Sequence, residues 1–312
     1  MALSDNQKFI TNVFMQLPQP LNKVQCMHVY IDGSLRNFRT KDITLPKKPE
    51  SVEELPEMEF CGSATDFDVG NLADYYARPV KFYRDPFRKG DNTIVYCETY
   101  CREGLPTFAN NRYRLLAAAK NYFHQVNQFT FHQPFSLFRT DEVPLTHMQH
   151  AFFPDSRSGF VCGDEIAKAH HKACLYAGVN LTMYEPITNQ GQWMYSIGPG
   201  TAIDITDDIC ISRFILIRIA EDFGVSVKFG NWLDFSSLKP IEARLNLVVD
   251  NLSQIDKQRT VDELISKLVI REGKPVKVAL LPEIIQIASI CGEFDPYTLL
   301  TKVMEALKSS LR

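Results

Sequence analysis

The residues that first invite chemistry are histidines and cysteines. His147 and His150 stand three apart in H-M-Q-H, and His170 and His171 are adjacent. A metal centre needs ligands that converge. Adjacent histidines leave a helix on different sides, and the 147–150 pair falls in a proline-punctuated loop, so neither pair specifies a centre. Cys97 and Cys101 are four apart across a strand-to-loop transition, with no second Cys/His pair at ligand spacing to complete a zinc site. The eight cysteines (26, 61, 97, 101, 162, 174, 210 and 291) read as free thiols. No P-loop and no G-x-G-x-x-G occurs, so phosphates find no ready backbone cradle. His132, on an apolar strand, reads first as a hydrogen-bonded core residue.

The bulk properties narrow the classes. The chain has 312 residues, 45% hydrophobic and 23% charged. That is enough for a sizeable core and about two domains. A net charge of -3 and no basic run longer than Lys47-Lys48 imply no nucleic-acid partner and no anionic membrane. Met1 to Pro20 lacks the pattern of a secretory signal, and Arg213, Arg218 and Glu221 interrupt the longest apolar stretch. The expectation is a soluble, cytoplasmic protein.

The elements that must position any site follow from periodicity. Residues 1–23 form an arm, with a short helix over Asn6 to Leu17 (Ile10, Val13, Phe14 and Leu17 on one face) ended by Pro18 and Pro20. Residues 24–105 are strand-rich: Val29 to Ile31, a turn at Asp32-Gly33, then Leu35 to Leu45, Val80 to Tyr83 and Thr93 to Tyr100. Residues 106–256 alternate helices and strands: helices over Asn110 to Phe123, Asp164 to Gly178 and Asp207 to Phe223, and strands over Phe129 to Phe138 and Gln192 to Pro199. The last strand, Q-W-M-Y-S-I-G-P, puts Trp193, Tyr195 and Ile197 on one face and Gln192, Met194, Ser196 and Gly198 on the other. Residues 257–312 read as a helical tail: Val261 to Val269, Pro282 to Ile290 after a strand at Val276 to Leu281, and Tyr297 to Leu311. The last helix carries an apolar stripe (Leu299, Leu300, Val303, Met304, Leu307) that either packs on the body or receives a partner.

Several of these segments resemble eukaryotic-type glutamine synthetases. Y-I-D-G at 30–33, V-E-E-L-P at 52–56 and R-D-P-F-R-K at 84–89 are similar to that family's amino-terminal β-grasp-like domain. A-H-H-K-A-C-L-Y-A-G-V at 169–179 and S-R-F-I-L-I-R-I-A-E-D-F-G-V at 212–225 resemble two of its scaffold helices, and the strand at 192–199 its central Q-W-E-F-Q-I-G-P. The resemblance covers residues 28 to 256. It implies an α+β fold: a β-grasp-like domain at 24–105, then a truncated curved sheet backed by helices at 106–256, ahead of a divergent helical tail at 257–312.

The resemblance also implies what is missing. The family makes glutamine through a γ-glutamyl phosphate, with divalent metals held by glutamates. Hard cations want carboxylate oxygens, and in-line phosphoryl transfer depends on that electrostatic clamp. At the metal positions this chain has His132, Pro134, Ile187 and Met194, with Glu185 two residues from one of them. Cys61 replaces the aspartate of the ammonium site. With no base at readable spacing, its thiol is expected to be inert. The histidine-bearing loop is shortened to Gly230-Asn231-Trp232 running into Asp234-Phe235-Ser236. Gly198, Pro199 and Ser236 match positions lining the family's nucleotide site, as walls rather than chemistry. The expectation is a pseudoenzyme with no catalytic residues, no metal and no cofactor. Its role would be structural or interaction-based, as a homo-oligomer, a hetero-oligomer with related subunits, or part of a larger assembly. The alternatives are a nucleotide or amino-acid sensor using the old pocket and, last, an active glutamate–ammonia ligase.

Overall fold

The computed structural model describes residues 13–67, 74–120, 128–139, 141–145, 162–188, 191–229, 243–248, 253–268, 276–281, 284–289 and 295–310. H-M-Q-H, Ser236, Cys291 and most of the expected Asn6–Leu17 helix lie outside the described residues. The chain divides into two compact units, residues 1–110 with 173–178, and residues 111–172 with 179–312.

In the first unit a five-stranded sheet has the order β2-β1-β5-β4-β3. Its strands are β1 (Val24–Ile31), β2 (Phe38–Leu45), β3 (Met58–Cys61), β4 (Asp74–Arg84) and β5 (Thr93–Cys101). Only the β1–β5 pair runs parallel. Tyr30, Phe60, Phe67 and Tyr75 form an aromatic cluster with centroids 4.5–5.8 Å apart, a geometry worth about 0.5–1.5 kcal/mol per pair beyond area. The Asp32-Gly33 turn holds because the buried Asp32 carboxylate accepts from Ser34 N (3.1 Å), Asn37 Nδ2 (3.2 Å) and Arg39 Nε (3.2 Å). A Cβ on Gly33 would meet the Asp66 carbonyl oxygen at 2.0 Å, so only glycine fits this close approach. In R-D-P-F-R-K, buried Asp85 accepts from Phe87 N (2.8 Å) and Arg88 N (3.1 Å), which makes the charged loop a closed turn. The Phe60-Cys61-Gly62-Ser63-Ala64 segment begins in β3 and continues into a single 3-10 turn over Ser63–Thr65. The alternation of buried Met58 and Phe60 with exposed Glu59 and Cys61 accounts for the strand.

In the second unit a seven-stranded antiparallel sheet has the order β11-β12-β10-β6-β8-β7, with β9 pairing the far end of β6. The strands are β6 (Phe129–Arg139), β7 (Leu181–Thr188), β8 (Gln192–Gly200), β9 (Val225–Phe229), β10 (Ala243–Val248), β11 (Val276–Leu280) and β12 (Ile284–Ser289). The helices are α1 (Asn111–Ala119), α2 (Asp164–Ala177), α3 (Ala202–Asp222), α4 (Gln254–Leu268) and α5 (Pro296–Ser310). One face of the sheet is apolar. Phe129, Phe131, Tyr195, Ile197, Leu245, Leu247, Ile285 and Ile287 are all at most 1% exposed, and each large apolar side chain so buried contributes about 1.5–3 kcal/mol.

Helix α3 lies against β6, β8 and β9 on that side. It starts at Ala202, a turn and a half before the expected Asp207. Thr201 Oγ1 accepts from Asp204 N (3.2 Å) and donates to the Asp204 carboxylate (2.7 Å), a reciprocal cap. Within α3, buried Asp207 takes Arg112 Nε (2.8 Å) and Nη2 (3.0 Å) from α1 and the Tyr297 hydroxyl from α5. Asp295 caps α5 through Thr298 N (3.0 Å) and also receives Asn111 Nδ2 (2.8 Å). The last helix is therefore fastened to α1 and α3 by polar bonds as well as by its buried stripe, Leu299, Leu300, Val303, Met304 and Leu307.

The helix expected over Pro282–Ile290 is instead strand β12. Ile284, Ile285 and Ile287 are β-branched, and Ile285 and Ile287 alternate inward while pairing Leu247 and Leu245 of β10. No helix among the described residues is long and apolar enough to cross a membrane.

Candidate functional site

The other face of this sheet carries most of the residues singled out from the sequence. Pro134, Met194 and Glu185 form one cross-strand row on β6, β8 and β7. The next row runs Arg244, His132, Ser196 and Met183 on β10, β6, β8 and β7. Ile187 lies at the register irregularity between Pro186 and Thr188. Met194 and Pro134 are buried, His132 is half-buried and Glu185 is exposed. Gly198 and Pro199 end β8. A Cβ on Gly198 would meet the Phe129 carbonyl oxygen at 2.4 Å, so glycine is needed for close packing on β6. Cys61 belongs to the first unit. Its exposed thiol lies 3.1 Å from Ser63 Oγ, and hydrogen bonding there holds its pKa below the ordinary thiol value.

His132 is the centre of a hydrogen-bonded ladder that crosses four strands. Gln286 Nε2 on β12 donates to Asn246 Oδ1 on β10 (3.0 Å). That orients the Asn246 amide so that its Nδ2 faces His132 Nε2 (2.9 Å). Nε2 therefore accepts, the ring proton sits on Nδ1, and Nδ1 donates to Ser196 Oγ on β8 (2.7 Å). Burial first, and then the Arg244 charge beside it, holds His132 below the ordinary imidazole value. The ring is neutral at neutral pH, as this ladder requires.

The resemblance puts His132 at a metal position of the family; its partners Asn246, Gln286 and Arg244 are not singled out by the sequence. Asn246 and Arg244 had a signal: in Ala243-Arg-Leu-Asn-Leu247 the polar residues alternate with leucines at period two. Gln286, flanked by Ile285 and Ile287, had the same one. Neither segment had been read as a strand.

Chemically, the face offers an imidazole, a thioether, a proline ring, a hydroxyl and two amides. The divalent metals that the resemblance implies do not fit this donor set. Glu185 is the only carboxylate in these rows, and it stands opposite Met194. Among the described residues, no three His, Cys, Asp or Glu side chains gather as a metal cradle.

Known proteins are similar to this chain. No protein-family model matches it. Glutamine synthetase of the dog is 37% identical over 245 residues, 74% of this chain and 65% of that protein. The chicken enzyme is 34% identical over 281 residues, 86% of this chain and 73% of its own length. That of the yeast Yarrowia lipolytica is 30% identical over 283 residues, 86% and 75%. The chain thus spans somewhat less than two thirds of the mammalian relatives it matches. A solved structure of a GmaS/ADP complex superposes with a TM-score of 0.71 at 12% identity, covering 92% of this chain and 79% of that one. That match shows the fold. Residues 1–256 alone cannot supply 92% of 312 residues, so part of the segment beyond 256 belongs to the shared fold.

Proposed function

The chain belongs to the glutamine synthetase family, and from that premise we propose that it has given up metal-dependent amide formation and serves as a structural or interaction component of an assembly of its own or related chains. The observation that carries this reading is the donor set on the sheet face opposite α3. His132, Pro134, Met194 and Ile187 stand where the family resemblance puts metal-holding glutamates, and a neutral ladder fills the space between strands. Removing a single donor to a developing charge typically costs about 3–4 kcal/mol of transition-state stabilisation. Losing the whole clamp leaves the γ-phosphoryl group without an electrophilic partner. On this reading the helices and covered sheet face persist because they hold the fold.

The test is steady-state turnover of the purified chain with ATP, glutamate, ammonium and either Mg²⁺ or Mn²⁺. The expected result is ADP and glutamine release indistinguishable from buffer, from particles sedimenting as more than one 35.7 kDa chain. Ammonia-dependent turnover would overturn the loss of chemistry, and a strictly monomeric particle the assembly.

A further inference from the structure

The V-E-E-L-P segment carries a pattern that the sheet face does not use. We propose that Ser51, at its head, is a phosphorylation site for an acid-directed serine/threonine kinase. The inference goes beyond the reading of a lost ligase and uses none of its residues.

The sequence supplies the charge pattern. From Glu50 the chain reads E-S-V-E-E-L-P-E-M-E, with carboxylates just before Ser51 and at the second, third, sixth and eighth positions after it. Glu50, Glu53, Glu54, Glu57 and Glu59 are all exposed. In an extended substrate the second and third positions lie about 7–10 Å downstream of the serine. A kinase groove lined there with arginine and lysine selects them by charge.

Among the serines and threonines of the chain, only Ser51 and Thr260 have acids at both of those positions. The structure separates the two. Thr260 lies inside α4, is fully buried and donates its hydroxyl to the Asp256 carbonyl oxygen (2.8 Å). A kinase would have to unwind that helix to reach it. Ser51 is part-exposed on an extended backbone (φ -139°, ψ 167°), and its hydroxyl makes no capping bond. It bonds the exposed Glu53 carboxylate, and that bond is the first cause of a Glu53 pKa below the ordinary carboxylate value. A single 3-10 turn follows, Val52–Glu54, with no buried residue. Leu55 N closes it by donating to the Val52 carbonyl oxygen (3.1 Å). One such bond contributes about 0.5–1.5 kcal/mol, so the segment straightens into a groove at small cost.

The transfer balances between protein and nucleotide. Ser51 Oγ attacks the γ-phosphorus of ATP, the Oγ–P bond forms as the bond to ADP breaks, and the hydroxyl proton passes to the kinase's catalytic base. The product adds about -1.5 to -2 charges between Glu50 and Glu53. Lys47, whose Nζ lies 3.3 Å from Glu54 Oε2, is a counter-charge close by in the chain, and the phosphate competes with Glu54 for it.

The experiment is incubation of the folded full chain with the catalytic subunit of an acid-directed kinase, ATP and Mg²⁺, read by intact mass and peptide mapping. The expected result is one phosphoryl group on Ser51. Ser51→Ala abolishes it, and Glu53→Gln with Glu54→Gln slows it about tenfold or more. None of these three side chains is buried, and an unchanged urea midpoint checks that each variant is folded. Phosphate on Thr260 and not on Ser51, no incorporation, or a rate indifferent to the two glutamates would each overturn the proposal.

Discussion

The two faces of the seven-stranded sheet have the same backbone and opposite chemistry. On the covered face, Phe131, Tyr195, Leu245 and Ile287 meet helices and exclude water. On the opposite face, one residue along in each strand, His132, Ser196, Asn246 and Gln286 hold one another by hydrogen bonds. A strand cannot change one face without keeping its register, because a one-residue slip would exchange the two. The difference shows that the two faces of one sheet answer to different constraints. Folding energy resides in the apolar side, and the polar side can be rewritten so long as its buried groups find partners.

The comparison breaks most readily at its buried charge. Asp207→Ala leaves the Arg112 guanidinium and the Tyr297 hydroxyl without their shared acceptor, and is expected to cost about 3–5 kcal/mol in urea unfolding. A loss under 1 kcal/mol would mean that the helices behind the sheet hold without this carboxylate. Neighbouring residues of β6 provide the sharper contrast. Phe131→Ala is expected to cost about 3–5 kcal/mol, the range for emptying an aromatic from a tight core. His132→Ala, which removes two hydrogen bonds from the opposite face, should cost about 1–3 kcal/mol. Equal losses would erase the distinction between the faces.

The smallest effect is a slope with pH. Burial holds the imidazole of His170 at about 3, with its bond to the Ser212 carbonyl opposing that shift only in part. His28 and His132 are lowered too, chiefly by burial. Each native ring stays neutral while the unfolded chain takes up protons near pH 6.5. Stability is therefore fully present above about pH 6.5 and falls as the pH drops toward the folded value. The urea midpoint should be lower at pH 5 than at pH 7.5, and His170→Gln should flatten the change. An unchanged slope in that variant would assign it to other groups.

Much of this was legible in the chain. The central strand, the two long helices and the Asp32-Gly33 turn follow from period and turn chemistry. The proposal that the metal positions are emptied rests on four residue types, His132, Pro134, Ile187 and Met194, once the resemblance is admitted. What was not legible has a common cause. β10 and β12 are six residues each, too short for their alternation to stand out from a helical pattern. β12 in particular sits in a stretch that alternates as well as it winds, and only pairing with β10 decides the matter. The ladder depends on those two strands, so Asn246, Gln286 and Arg244 stayed hidden although each obeys the period. The tie between Asp207, Arg112 and Tyr297 joins residues 90 and 95 positions apart, which no local pattern encodes.

That tie also sets an order of events at the ribosome. The five strands of the first sheet have all emerged by Cys101 and can pair while translation continues. Asp207 meets its arginine from upstream, but the tyrosine that completes its shell is nearly a hundred codons downstream. Until α5 arrives, α1 and α3 keep an uncovered apolar seam around a charged centre. A chain cut short in that window would have the five strands of its first sheet and lack the hydroxyl that completes the Asp207 shell.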